Sequence, residues 1–477
     1  MTRRTKIVAT LGPASSDPAV LEKMILAGVE VFRLNFSHGT EADHISRAEL
    51  VRSVATKLGK TVGILADLQG PKIRVGKFEN GKATLKTGGM YLLDAECTMG
   101  NDERAGLDYP ELPNDVQSGD TLLLDDGKIE LQVVKVEGPV VYTRVMQGGI
   151  LSNNKGINRR GGGLTAPALT SKDYEDIRTA ARMQADFLAV SFPRSGEDMR
   201  EARTLLRAAG GTAQLMAKIE RAEAMDMLED IIDASDSIMV ARGDLAVEVG
   251  DAAVPAMQKR MIRAARLKNK AVVTATQMME SMISSPVPTR AEVSDVANAV
   301  IDGTDAVMLS AESAVGQFPV ETVRAMARVC QEAEKEVLAH LDIENNKFES
   351  NITQVEMAIA HAVVYTARHL GVKAIAALTQ SGTTARYMSS MDVGVPIYAM
   401  SPSEETQRKV TLLKGVYPVA FDHVTRESSK VMQLAEARLK ELGAVEDGDL
   451  IILTIGEPIG KPGGTNTMKV IRIGSQG

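Results

Sequence analysis

Aromatic side chains are scarce: 8 Phe, 8 Tyr and no Trp make up 3% of 477 residues. Proteins that stack bases on aromatic platforms need more, which argues against single-stranded nucleic acid as a partner. Cysteine is scarcer still. Cys97 and Cys330 lie far apart and fit no metal-ligand spacing, so neither a disulfide framework nor a zinc site is expected, and a reducing compartment suits the chain. No stretch is apolar for long enough to span a membrane, and the run ending at Gly12-Pro13 is too short for a signal-peptide core. A cytoplasmic protein is expected. The net charge of −7 comes with no basic stripe, so neither DNA nor an anionic membrane is a natural partner. Anionic small molecules are not excluded, because a local field decides their binding.

What is present is an ordinary globular balance, 44% hydrophobic and 25% charged, with 24 Met joining Val, Ile and Ala in the core. A chain of this length divides into two or three domains. Eight short apolar runs occupy the first two-thirds: KIVATL (6–11), VFRLNF (31–36), TVGILADL (61–68), DFLAVSF (186–192), QLMAKIE (214–220), SIMVARGDL (237–245), AVVTATQM (271–278) and DAVMLSAES (305–313). Nearly continuous apolar character is what parallel strands covered on both faces require. The intervening stretches read as helices, among them 17–27, 43–58, 171–184 and 253–268, and Thr289-Arg-Ala-Glu292 forms a capping box. Alternating strands and helices predict a closed (β/α)₈ barrel over residues 1–70 and 167–346. Residues 71–166 lose the helical pattern and read as an inserted all-β lid, with the Gly-rich tract 155–163 as its hinge. Alternation resumes over 347–477 as an open α/β domain.

A (β/α)₈ barrel places its active site at the carboxyl ends of the strands. Polar residues gather there: Arg33, Asn35, Ser37 and His38, then Asp67, Ser191, Lys218 with Glu220, Arg242 with Gly243 and Asp244, Thr274 with Thr276, and Ser310 with Glu312. Strand ends are solvated and tolerate polar residues cheaply, so one alone means little. Seven consecutive ends carrying them point to an active site. Glu220 and Asp244 can share a cation in the way Mg²⁺ is usually held, by two carboxylates with water and substrate completing the shell. The bland reading pairs them with Arg221 or Arg242. Lys218 lies two residues before Glu220 and points at the same ligand. A Lys and an Arg beside Mg²⁺ would clamp a phosphoryl group in flight.

These segments match a family. FRLNFSHG (32–39), LADLQGPKIR (65–74), AKIERAEA (217–224), ARGDLAVE (241–248), TATQMMESM (274–282) and the block 289–313 resemble the signature blocks of pyruvate kinases, in order and spacing, over the whole chain. The resemblance implies transfer of the phosphoryl group of phosphoenolpyruvate to ADP, giving pyruvate and ATP. It implies Lys218 as the stabiliser of that group and Glu220 and Asp244 as ligands of Mg²⁺ or Mn²⁺. Arg33, Gly243, Asp244 and Thr276 would meet the substrate, Thr276 also in the network that protonates the enolate carbon. Asn35, Ser37, His38, Arg74 and Lys155 would lie along the ADP path, and Arg74 counts among the catalytic groups. Many members carry Asp-Thr-Lys-Gly-Pro-Glu where this chain has Asp67-Leu68-Gln69-Gly70-Pro71-Lys72. Their Thr helps hold K⁺. Leu68 cannot, and Lys72 supplies a fixed charge instead, so K⁺ is expected to be dispensable. Arg159-Arg160 replaces a more usual Leu-Pro in the hinge.

In the C-terminal domain, Thr379, Ser381, Gly382, Thr383 and Thr384 follow a strand and precede a helix. The family places an activator's phosphate on this loop, with Gly464 in a second wall. A sugar or nucleoside monophosphate is expected, because Gln380 stands where bisphosphate-responsive members often carry Lys. The resemblance also implies a homotetramer. Two rival readings remain: a Mg²⁺-dependent lyase or aldolase of pyruvate-like acids, and a non-catalytic sugar-phosphate sensor.

Overall fold

The computed structural model describes residues 2–339, 352–422, 427–459 and 463–475. Among them, eight parallel strands close into a barrel, each paired with the next in sequence: β1 (Lys6–Thr10), β2 (Val31–Asn35), β3 (Gly63–Asp67), β4 (Phe187–Val190), β5 (Gln214–Ile219), β6 (Ser237–Ala241), β7 (Ala271–Ala275) and β8 (Ala306–Leu309), which returns to β1. Helices cover the outside and side chains fill the inside, so β1, β3, β4, β6, β7 and β8 are buried at every residue.

Side chains still alternate between the two covered faces. Ile7, Phe32, Ile64, Leu188, Ala217 and Val240 pack outward beneath the helices. Val8, Val31, Leu65, Phe187, Met216 and Met239 fill the interior. That parity decides which strand-end residues look into the barrel mouth. Arg33 and Asn35 share it with Val31, Asp67 with Leu65, Ser191 with Phe187, and Lys218 and Glu220 with Met216. Thr274 has the opposite parity to the interior residue Val273, and its hydroxyl donates to that of Thr304 at 3.0 Å inside the wall. It is therefore a packing group and does not join the gathering expected of it. Thr276 does join, because β7 has ended and the chain turns through a φ of +67° there.

Caps set the helix boundaries. The helix expected from Asp43 begins at Glu41, since Thr40 and Asp43 form the capping box, and the one expected to reach Gln184 stops at Arg182. The box at Thr289 and Glu292 starts the helix Arg290–Asp302. Between β3 and the helix Ser171–Arg182 the chain builds a mainly antiparallel six-stranded sheet and a two-stranded ribbon around Tyr91, Leu122, Leu131 and Val141. A four-residue helix, Leu112–Asp115, is the one helix described there.

Beyond residue 352 the chain forms a five-stranded sheet in the order Val416–Ala420, Ile397–Ser401, Ala374–Leu378, Leu450–Gly456, Thr465–Arg472, antiparallel only at the last pair. The helix expected over 404–414 is α-helical to Lys409 and closes as a 3₁₀ turn, Val410–Leu412. The boundary expected at 346/347 lies outside the described residues. One face of this sheet joins the apolar cluster that fills the barrel. Charge reinforces the joint: Asp392 is 2.5 Å from Arg4 Nη2 and 3.2 Å from Lys414 Nζ, all three buried. Burial would raise the Asp392 carboxyl, but Lys414 and Arg4 hold it well below the usual range. No helix among the described residues is long and apolar enough to cross a membrane.

Candidate active site

The inward-facing residues at the carboxyl ends of β2 to β5 meet in one buried network. Arg33 Nε lies 2.5 Å from Asp67 Oδ2, and its Nη1 donates to Thr10 Oγ1 at 3.1 Å. Lys218 Nζ is 3.3 Å from Asp67 Oδ1, 3.0 Å from Glu220 Oε1 and 2.7 Å from Ser191 Oγ. The Ser191 hydroxyl donates to the Leu68 carbonyl at 2.7 Å, and the Phe192 N–H donates to Glu220 Oε2 at 3.0 Å.

The electrostatics follow from burial and neighbours. Burial works against the Lys218 charge, but Asp67 and Glu220 outweigh it and hold its pKa above the ordinary lysine value. Burial would likewise raise Asp67, yet Lys218 and Arg33 bring it below the carboxylate norm. Glu220 moves the other way: burial raises its pKa, Lys218 only partly offsets that, and Asp244 adds to it. A buried carboxylate raised by a second carboxylate gains most from a cation between them. The donor set fits a hard divalent ion that takes its remaining oxygens from water and substrate. Among the described residues no group of three or more His, Cys, Asp or Glu that could hold a metal ion is found.

The bland pairing of these acids with Arg221 or Arg242 does not occur. Neither arginine satisfies them. Arg242 donates to Asp295 at 2.6 Å and to the carbonyls of Ala275 and Thr276 at 3.1 and 2.7 Å, while Arg221 Nη1 donates to the Leu164 carbonyl at 3.1 Å. Lysines meet the acids instead. Lys72 Nζ is 2.9 Å from Asp244 Oδ1 and 3.9 Å from Asp126 of the β-rich insertion. Burial would lower the Lys72 pKa, but Asp244 outweighs burial and raises it. Leu68, four residues before Lys72 in sequence, is buried and offers no side-chain ligand.

Thr276 Oγ1 accepts the Gly243 N–H at 2.9 Å and donates to the Ala275 carbonyl at 2.6 Å, which joins the ends of β6 and β7. Phe192, Thr276 and Gln277 adopt φ of +56°, +67° and +54°. Such conformations are uncommon outside glycine and concentrate at functional sites. Thr274, Ser310 and Glu312 stand apart: the buried Glu312 carboxylate accepts the Ser310 and Met279 N–H groups at 2.7 and 3.2 Å and braces the end of β8.

The residues expected along a nucleotide path form two groups. Asn35 Oδ1 accepts the Ser37 N–H at 3.1 Å, and the exposed His38 donates its N–H to the Asn35 carbonyl at 3.2 Å. Arg74 and Lys155 lie on adjoining antiparallel segments. Arg74 Nη1 reaches the Asn154 carbonyl at 3.0 Å, and Lys155 Nζ lies 2.7 Å from Asp125.

The second predicted site is a pocket at the carboxyl edge of the C-terminal sheet, lined by Thr379, Ser381, Thr383, Thr384 and Gly464. Gly382 caps the helix Thr383–Ser390 with a φ of +79°. The Thr384 and Thr465 hydroxyls meet at 2.7 Å, and Thr379 Oγ1 accepts the Gly382 N–H at 2.8 Å.

A profile described as "Pyruvate kinase, barrel domain" matches residues 2–323, and one described as "Pyruvate kinase, alpha/beta domain" matches 357–471. The chain is 53% identical to pyruvate kinase II of Salmonella typhimurium over 479 aligned residues, covering 99% of each chain. It is 53% identical to a pyruvate kinase of Haemophilus influenzae, covering 95% of this chain and 96% of the other. A crystal structure of a pyruvate kinase from Cryptosporidium parvum superposes with a TM-score of 0.92 at 35% identity, over 99% of this chain and 96% of that one.

Proposed function

This chain belongs to the pyruvate kinase family and acts as a pyruvate kinase on phosphoenolpyruvate and ADP; we propose the roles of its residues as follows. The observation that carries the assignment is the Lys218 ammonium, buried between Asp67 and Glu220 at the barrel mouth with Asp244 nearby. Lys218 faces the phosphoryl group while the bond from phosphorus to the enol oxygen breaks and a terminal ADP oxygen attacks, and its charge matches the charge spread over the transferring oxygens. Glu220 and Asp244 would hold Mg²⁺ or Mn²⁺, which supplies charge neutralisation when bound. Arg33, fixed by Asp67, orients the substrate. Thr276 and the Gly243 backbone hold the carboxylate end, and Thr276 sits in the network that delivers a proton to the enolate carbon. Asn35, Ser37, His38, Arg74 and Lys155 take the nucleotide.

The division of labour follows the expected segments: residues 1–70 and 167–346 carry the chemistry, 71–166 act as a lid that excludes water, and 347–477 regulate. K⁺ is not required, because Lys72 already places a positive charge 2.9 Å from Asp244 and Leu68 has no side-chain oxygen to offer. The pocket around Thr379–Thr384 and Gly464 takes the phosphate of a sugar or nucleoside monophosphate, and the assembly is a homotetramer. Two assays test this reading. Phosphoenolpyruvate, ADP and Mg²⁺ in K⁺-free, tetramethylammonium-balanced buffer should yield pyruvate; no pyruvate, even with candidate activators, returns the chain to a lyase or a sensor, and large stimulation by K⁺ removes Lys72 from its role. Calorimetric titration should favour monophosphates, and preference for fructose bisphosphate contradicts the effector assignment.

A further inference from the structure

Ser191 follows β4 and is 1% exposed. Its hydroxyl has two partners, both at 2.7 Å: it donates to the Leu68 carbonyl and accepts from Lys218 Nζ. A hydroxyl has one proton to give. With that proton committed to Leu68, the face turned to Lys218 is a lone pair, and only a donor fits there. The other two contacts of the ammonium, Asp67 and Glu220, are anions at 3.3 and 3.0 Å. Anions hold a cation by attraction from a broad range of directions and compete with a phosphoryl group for its charge. The neutral hydroxyl directs the amine without competing in that way.

Ser191 is also fastened to the segment that leads into the β-rich insertion. The Leu68 N–H donates to the Ala189 carbonyl at 3.0 Å, so Leu68 is stitched to β4 and its flank through both backbone groups. Gly70, at a φ of +67°, lies so close that a Cβ there would fall 2.7 Å from Ser191 Cβ. Two residues on, Lys72 reaches Asp244.

We propose that Ser191 is a positioning residue for phosphoryl transfer: its hydroxyl, oriented by the Leu68 carbonyl, aims the Lys218 ammonium and ties that aim to the seating of residues 68–72. The proposal rests on the role given above to Lys218. The test compares the full-length enzyme with Ser191→Ala, Ser191→Cys, Lys218→Met and the double variant Ser191→Ala/Lys218→Met in the coupled assay, with thermal unfolding of each. A hydrogen bond to a charged group sets the expected loss: Ser191→Ala and Ser191→Cys each lower kcat by about 10- to 100-fold and change KM for phosphoenolpyruvate by less than about threefold. Cys restores the bulk but accepts weakly, so a purely packing role would leave Ser191→Cys near wild type, and that result overturns the proposal. In the Lys218→Met background the Ser191→Ala change should cost less than about twofold; the full loss appearing there too would also overturn it. Lys218→Met at near wild-type kcat would defeat the underlying role of Lys218 itself, a separate and recognisable failure.

Discussion

Replacing Lys218 by Met removes one buried charge and keeps an unbranched apolar stem of similar length. The magnitude follows from the surroundings. The Lys218 side chain is 11% exposed, and Asp67 beside it is fully buried, so solvent screens the site poorly. One unit charge facing another across about 4 Å at an effective dielectric near 20 is worth about 4 kcal/mol, or about three orders of magnitude in rate. A loss of that size is expected in kcat, measured by coupling pyruvate formation to a dehydrogenase. The ground state is also disturbed. Asp67 keeps Arg33 at 2.5 Å, whereas Glu220 keeps, among the described residues, only the Phe192 N–H. The variant should therefore be less stable at neutral pH and gain more thermal stability from added Mg²⁺ than the wild type, without recovering kcat. A folded variant that keeps more than about one-tenth of wild-type kcat refutes the reasoning, because an ammonium so placed cannot then be what stabilises the group in flight.

Three further outcomes are expected. Lys72→Met should lose at least about tenfold in K⁺-free activity, since it strips a charge-assisted hydrogen bond from Asp244; a variant as active as wild type there would make Lys72 a bystander. Asp392→Asn should cost about 3–5 kcal/mol in urea unfolding at pH 7, because Arg4 and Lys414 then stay buried without that counter-charge; a cost below about 1 kcal/mol would show the joint held by apolar contacts. Burial above all raises the Glu248 carboxyl from 4.5 to about 7, so between those values the folded chain keeps a proton that the unfolded chain has released, and stability falls as pH rises through the window. Glu248→Gln should remove that fall and out-stabilise wild type progressively from pH 5 to pH 8, by up to about 3 kcal/mol; parallel stability curves would place Glu248 in contact with water.

The barrel was legible because of how parallel strands are buried. With both faces covered, a strand has few polar positions to blur its limits, and runs such as those at Phe187–Val190 and Ala306–Leu309 are apolar until they reach the site. Helix starts were less legible by two residues where a cap lay upstream of the first charged turn, as at Thr40. The sheet order of the β insertion was not legible at all. The two-residue strand Arg104–Ala105 pairs in parallel with Met90–Asp94, and nothing local in either segment encodes that choice.

The site divides in a related way. Lys218, Glu220, Asp244 and Thr276 were legible from residue type and from the strand ends that carry them. Their neighbours were not. Arg242 looked free to answer Asp244 until Asp295, 53 residues on, turned it away. Lys72 crosses to Asp244 from the far side of the mouth, a separation of 172 residues. Side-chain parity gives the face a residue looks toward, but long flexible cations choose among all the carboxylates on that face, and only the stacked strands fix the choice. Asp67 and Ser191 were undervalued for the same reason. Each has the inward parity of an interior neighbour, Leu65 and Phe187, and that signal was present in the sequence. What the signal lacked was the companion strand: a short polar side chain becomes informative once it is buried at 0% or 1% exposure between a cation and the group that fixes its direction. Residues that meet a ligand declare themselves by chemistry, whereas residues that aim them declare themselves only by what they are packed between.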